Sequence, residues 1–277
     1  MEVREATGES HTSSWISDFA LSVVDQIGRS HFGAFVSDST GNTRLARQLL
    51  TAADVVPTAL DLADVVHHLN AVVKNLAQIQ HFEKLVHLTR TVTTRFNTSH
   101  ACKHELRNAR KVLGITRGLE PVGKTRFAGI IKSARSVQRC TPALELIVSR
   151  NQCNIEGIEE FFQVHPSTKR PTRAATHFQE ELDDFLALTL PIAKILTCLE
   201  ANFVTLADVF VAWHACLREI DIVLEQDDHL FPLHVKEATI DVLNYRYSEL
   251  FCEGGRLYSP AYLAATYLHP GKSVVFA

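Results

Sequence analysis

Hydrophobic positions near the start of the chain change from helical spacing to one short strand-like run. The run at 32–36 is apolar, a polar turn with a glycine follows it, and apolar residues then recur every three or four positions. This pattern predicts a strand over 32–37, a turn, and a helix over 42–51. The segment 55–62 contains a proline, and it is either a second short strand or the entry to the next helix.

Helical spacing dominates the rest of the chain. Thr205 followed by Asp208 is typical of a capping box at a helix start. The segment 151–173 is polar and irregular, which predicts an exposed loop with a short helix inside. The other predicted helices cover 12–27, 64–78, 82–96, 99–113, 125–149, 174–200, 205–225, 231–251 and 259–268. The predicted fold class is therefore mainly α with a small parallel β element, formed by a strand–helix–strand unit within 1–80 and a helical region over 81–277.

Charge is divided unevenly along the chain, although the formal net charge is only −3. The segment 84–139 carries thirteen Lys and Arg against two acidic residues, whereas 156–253 carries eighteen Asp and Glu against seven basic residues. A basic segment of this kind favours contact with a polyanion such as DNA or RNA. The alternative is two amphipathic regions whose opposite charges neutralise each other. The candidate nucleic-acid-binding residues are Arg107, Arg110, Lys111, Lys124 and Arg126.

Asp38 is the strongest candidate for metal chemistry, because it follows the end of the predicted strand. Open α/β sheets bind ligands at the carboxyl ends of their strands. A carboxylate there suits Mg²⁺ or Mn²⁺, but a two-metal site needs further carboxylates. The spacing of the other acidic residues singles out no partner for Asp38. We therefore expect Mg²⁺ or Mn²⁺ to bind only if the carboxylate set were complete, and we predict no other cofactor.

The segment 118–125 matches the P-loop pattern of nucleotide-binding proteins letter for letter. Its context is unfavourable, because a helical pattern precedes it where a P-loop requires a strand. Glu120 adds negative charge beside the phosphates, and Pro121 lacks the N–H that a phosphate cradle uses. A connection between two helices is the alternative to a P-loop hydrolase.

His67 and the six cysteines are the remaining residues that could indicate a catalytic or metal site. His67 follows Asp64 by three residues, a spacing that permits an Asp–His hydrogen bond on a helix, although a structural histidine is the alternative. The six cysteines form no Cys-x-x-Cys motif, which argues against a zinc site. The absence of a signal peptide and of a long apolar run predicts an intracellular protein without a membrane span.

Five segments, taken in order, resemble the hAT-type transposase family, most closely its fungal transposon-derived DUF659 and ribonuclease H-like proteins. They are 35–43, 63–70, 123–127, and 198–202 with 207–210. The resemblance implies a partial RNase H-like α/β core over 1–80, a large helical insertion over 81–277, and a nuclear location. It also implies an Asp–Asp–Glu set that binds two metal ions and cuts and joins DNA strands.

The resemblance assigns roles to particular residues. Asp38 matches the second Asp of the catalytic set, His67 matches the His of a Cys-x-x-His element, and Asp64 stands where that element has Cys. The first Asp would precede Met1 and the Glu would follow the insertion, so we expect a transposase-derived chain without strand-transfer activity on its own. An incomplete sheet should also leave a strand edge and apolar surface exposed, which favours self-association.

Overall fold

The computed structural model describes residues 11–123, 128–153, 155–226 and 231–271. Within these ranges, ten α-helices accompany two β-strands, which confirms the predicted mainly helical fold with a small parallel sheet. The strands are β1 (Ala34–Ser37) and β2 (Leu60–Ala63). The helices are α1 (Ser13–Ile27), α2 (Gly41–Leu50), α3 (Val65–Leu76), α4 (Gln80–Thr98), α5 (His100–Val112), α6 (Gly129–Ser149), α7 (Arg173–Leu199), α8 (Leu206–Glu225), α9 (Leu233–Phe251) and α10 (Ala261–Leu268). None of the helices described in these ranges is both long and apolar enough to cross a membrane.

The sheet consists of two parallel strands in the described part of the chain. Ala34 of β1 lies opposite Leu60 of β2, and the register continues to Ser37 opposite Ala63. Helix α2 forms the crossover between the strands, as a parallel pair requires. The segment 55–62 therefore contains a strand, and that strand begins only at Leu60 because turns that include Pro57 precede it.

Compact packing divides the chain into two units. The first comprises Met1–Leu69, Asn202–Val211 and Asn244–Ala277, and the second comprises Asn70–Ala201 and Ala212–Leu243. Helices α3, α8 and α9 each contribute residues to both units. The domain boundary expected after residue 80 stays a prediction. By packing, the first unit ends at residue 69 and also includes the two later segments Asn202–Val211 and Asn244–Ala277.

The first unit contains a small apolar core beside the sheet. It also contains an aromatic cluster in its last segment, Asn244–Ala277. Val24, Val56 and Ala59 are buried together. In the aromatic cluster, the ring of Phe251 lies 5.8 Å from that of Tyr262, which is 1 % exposed. The Tyr262 hydroxyl donates a hydrogen bond to the carbonyl of Ala63 at 3.3 Å. This contact anchors α10 to the carboxyl end of β2.

The start of α8 confirms the predicted capping box. The Thr205 backbone N–H donates to Asp208 Oδ2 at 2.8 Å, and the Asp208 N–H donates to Thr205 Oγ1 at 3.4 Å. Two backbone donors at the helix start are thus satisfied by side chains.

The second unit is a helical array with an aromatic core. Phe82 of α4 contacts Phe185 of α7 with ring centroids 5.4 Å apart, and Phe162 contacts Phe178 at 5.5 Å. Phe162 belongs to a 3₁₀ helix at Glu159–Phe162, which confirms the short helix predicted inside the segment 151–173. The prediction that this segment is exposed is wrong in part, because its apolar residues Ile155, Ile158, Phe161 and Phe162 are buried. Because helix α5 buries only Cys102, Leu106 and Ala109, its opposite face is free for polar contacts.

Candidate functional site

Asp38 lies directly after β1, at the carboxyl edge of the sheet. At the same edge, the Asp64 backbone N–H donates to the carbonyl of Ser37 at 2.8 Å, which brings the start of α3 next to the end of β1. The fold therefore places Asp38, Asp64 and His67 in one region, as the crossover geometry predicts.

The carboxylate of Asp38 is engaged by the turn that leads into α2. Its Oδ1 accepts hydrogen bonds from the backbone N–H of Thr40 at 3.4 Å, from Thr40 Oγ1 at 3.1 Å and from Thr43 Oγ1. The bond from Thr43, assisted by the Thr40 donors and by the nearby His67, holds the pKa of Asp38 below its ordinary value of 3.8 against the opposing effect of partial burial. The charge also lies at the amino end of α2, where the helix dipole favours an anion. Asp38 thus stabilises the β1–α2 turn.

Asp64 caps helix α3, and its contact with His67 is made by the backbone. Asp64 Oδ1 accepts a hydrogen bond from the His67 backbone N–H at 3.2 Å, which satisfies one of the first donors of the helix. The imidazole of His67 is exposed. The three-residue spacing of Asp64 and His67 therefore produces a hydrogen bond to the His67 main chain, and the His67 ring is not used in it.

The described residues do not fit the two-metal site that the family resemblance implies. Among the residues with described positions, no group of three or more His, Cys, Asp or Glu side chains could hold a metal ion. One oxygen of Asp38 is already engaged by hydroxyl and amide donors. Two ions held about 3.5–4 Å apart require several converging carboxylates, which the described residues do not supply at this edge.

Sequence reasoning missed the residue that organises this edge, Arg47 of α2. Its side chain is 4 % exposed, and its Nε lies 2.5 Å from Oδ1 of Asp61 on β2. Its Nη1 donates to the carbonyls of Ser37 at 3.1 Å and Asp38 at 2.7 Å. The only sequence feature that could have indicated this role is the position of Arg47 among the apolar residues of a short helix that follows a strand.

The P-loop-like segment is bound by its main chain to helix α6. The Glu120 backbone N–H donates to Ser136 Oγ at 2.9 Å, and Ser133 Oγ donates to the Glu120 carbonyl at 2.6 Å. Helix α5 precedes the segment where a P-loop requires a strand. Lys124, which would reach the phosphates, lies outside the described residues. The described part, 118–123, has the character of a helix–helix connection.

The basic side chains of α5, which include the candidates Arg107, Arg110 and Lys111, divide into exposed ones and one that is hydrogen-bonded. Lys103, Arg107 and Lys111 recur every four residues and are exposed, so they form one stripe along the helix, called here the α5 basic stripe. Arg110 faces the loop that follows α5. Its Nη2 donates a hydrogen bond to the Thr116 carbonyl. Its Nη1 lies so close to Gly118 that a Cβ atom at that position would be only 2.8 Å away.

The three residues of the α5 basic stripe carry uncompensated charge. The structure gives none of their side chains a hydrogen bond or an ion pair with another described residue. The opposite face of α5 buries Leu106 against the helical array, so the stripe faces outward. Lys124 and Arg126, the other two candidates, lie outside the described residues.

Comparisons with protein-family models, with curated proteins and with solved structures gave no match. The likeness to hAT-type transposases therefore rests on the sequence motifs alone.

Proposed function

We propose that the protein is a transposase-derived, RNase H-like chain that binds nucleic acid through the α5 basic stripe and does not perform strand transfer on its own. The observation that carries the binding proposal is the stripe itself. Its three cations span about 12 Å of helix, face outward and have no acidic partner among the described residues. Phosphate groups of a nucleic acid backbone would supply the missing negative charge.

The proposed origin is supported by the arrangement around the sheet. A parallel strand–helix–strand unit presents Asp38 at its carboxyl edge, beside the start of the helix that carries His67. The proposal that strand transfer does not occur is supported by the local chemistry of Asp38, whose Oδ1 is used by Thr40 and Thr43. A nuclear location belongs to the same proposal, because the resemblance to the transposase family implies it.

The binding proposal is tested with a fluorescent DNA duplex titrated at low and at higher salt. The variant Arg107→Glu/Lys111→Glu should bind the duplex at least tenfold more weakly than the wild-type chain. Arg110 is left unchanged because it contacts the loop that follows α5. The matched control is Lys74→Glu/Arg150→Glu, which reverses two exposed charges elsewhere in the second unit. No binding at low salt, or equal loss in both variants, would contradict the proposal.

Strand-transfer activity is tested by incubating the purified chain with DNA and Mg²⁺ or Mn²⁺. We expect no nicking or joining beyond the background, and no difference between the wild-type chain and Asp38→Asn. Metal-dependent nicking that disappears in Asp38→Asn would refute this part of the proposal.

Self-association through the exposed strand edge and apolar surface stays part of the proposal. Val36 of β1 is 62 % exposed, and Leu45 and Leu49 of α2 are 46 % and 43 % exposed. Apolar side chains of this kind on one unit favour association between copies. Sedimentation at several protein concentrations should show a mass that rises with concentration, and Val36→Lys should reduce the effect.

A further inference from the structure

A second basic surface lies in a groove between the loop after α5 and the first turns of α6. The groove has a volume of about 480 Å³. Its lining residues are Arg117, Glu120, Lys132, Arg135, Gln138 and Arg139. Four of these six side chains are cationic, and all of them belong to the second unit.

Glu120, the only carboxylate among the described residues that line the groove, is already neutralised. Glu120 Oε1 lies 3.0 Å from Arg139 Nη2, and the same nitrogen donates to the Gly118 carbonyl at 2.9 Å. Arg139 Nε is buried and has no hydrogen-bond partner among the described atoms. Arg139 therefore holds the loop against α6, and its charge is matched by Glu120.

The other three cations of the groove have no acidic partner among the described residues. Arg117, Lys132 and Arg135 are exposed, and the structure gives them no ion pair with a described residue. Lys132 and Arg135 are separated by three positions on α6, so their like charges repel each other unless an anion lies between them. Lys132 also lies in the first turn of α6, where the helix dipole adds positive potential. An excess of cations favours an anion, and guanidinium and ammonium groups form strong charge-assisted hydrogen bonds to phosphate.

We infer that this groove binds a backbone phosphate of the same nucleic acid that the α5 basic stripe binds. The inference rests on the proposed function and adds a second contact to it. Arg117 approaches the phosphate from the loop, and Lys132 and Arg135 approach it from α6. Arg139 keeps the loop in position through Glu120 and Gly118.

The inference is tested through the salt dependence of duplex binding. The slope of log affinity against log salt counts phosphate contacts, at about 0.9 per contact for duplex DNA. Lys132→Gln/Arg135→Gln should lower the slope by about 2 and weaken binding roughly tenfold to a hundredfold at moderate salt. Arg150→Gln is the matched control, because Arg150 lies at the other end of α6, about 27 Å along the helix, and is exposed.

The outcomes separate this inference from the proposed function. A reduced slope in Lys132→Gln/Arg135→Gln with an unchanged slope in Arg150→Gln supports the groove. An unchanged slope in a double variant whose circular dichroism matches the wild type overturns the groove, while loss of binding in Arg107→Glu/Lys111→Glu would still support the α5 basic stripe. If the wild-type chain does not bind the duplex at low salt, both the groove inference and the proposed function are refuted.

Discussion

Arg47 and Asp61 form an ion pair that joins helix α2 to strand β2 beneath the carboxyl edge of the sheet. The side chain of Arg47 is 4 % exposed and that of Asp61 is 31 % exposed. Arg47 also binds the carbonyls of Ser37 and Asp38, so one guanidinium connects the crossover helix to both strands. A two-stranded sheet has little stability of its own, and this arginine supplies polar contacts that hold it together.

Loss of this ion pair should destabilise the first unit. Asp61→Asn leaves the guanidinium of Arg47 buried without its counter-charge, so we expect the free energy of unfolding to fall by about 2–4 kcal/mol. Urea denaturation measures the change. Asp25→Asn, which breaks the exposed pair between Asp25 and Arg29, serves as the control and should have little effect. Equal stability of Asp61→Asn and the wild-type chain would show that the pair does not organise the sheet.

Asp38 should stabilise the fold only when it is ionised. Its folded-state pKa is lowered from 3.8, chiefly by the hydrogen bond from Thr43, so its contribution is complete above pH 3.8 and disappears as the pH falls through the folded-state pKa. Asp38→Ala removes the acceptor of the Thr40 and Thr43 hydrogen bonds and should lower the free energy of unfolding by about 1 kcal/mol near neutral pH. Denaturation curves recorded from about pH 6 to about pH 2 should show the two proteins converging at the acidic end. A constant difference over that range would contradict this assignment.

His68 should make the protein less stable in mild acid. Its Nε2 donates a hydrogen bond to the Arg246 carbonyl at 2.9 Å, and burial lowers its pKa from 6.5. Because the unfolded chain then binds a proton more readily than the folded chain, stability is complete above pH 6.5 and decreases as the pH falls below it.

The variant His68→Gln keeps a donor for Arg246 and removes the titration. Its thermal midpoint should therefore change less between about pH 7 and about pH 5 than that of the wild-type chain. His104→Gln, on the exposed part of α5, is the control. An identical pH dependence in wild type and His68→Gln would assign the acid sensitivity to other groups.

The cysteines should differ sharply in reactivity. Burial raises the pKa of Cys216 to about 12, and burial together with a hydrogen bond to Cys102 raises the pKa of Cys153 to about 12. Cys198 and Cys252 are exposed. Since the thiolate is the reactive form, maleimide at about pH 8 should label Cys198 and Cys252 quickly, and Cys216 only after denaturation. Peptide mass mapping measures this order, and rapid labelling of Cys216 in the folded chain would disprove it.

Some features of the candidate sites were readable from the sequence because their signals are local. The apolar run before Asp38 defined β1, the Thr205–Asp208 spacing defined the start of α8, and the charge of the segment 84–139 pointed to a basic surface. Strand, cap and net charge each depend on neighbouring residues, so one-dimensional patterns contain them.

The roles of individual charged side chains were not local and became visible only in three dimensions. Arg110 and Lys111 are adjacent in the sequence, yet Arg110 contacts the loop after α5 whereas Lys111 faces outward. Arg47 pairs with Asp61 from another element, fourteen residues away. The sequence alone therefore determined the helices, the first strand and the division of charge, and it left the second strand as one of two alternatives. Only the tertiary structure decided which charges are buried and paired and which remain available to a partner, because that depends on residues that the chain brings together from distant positions.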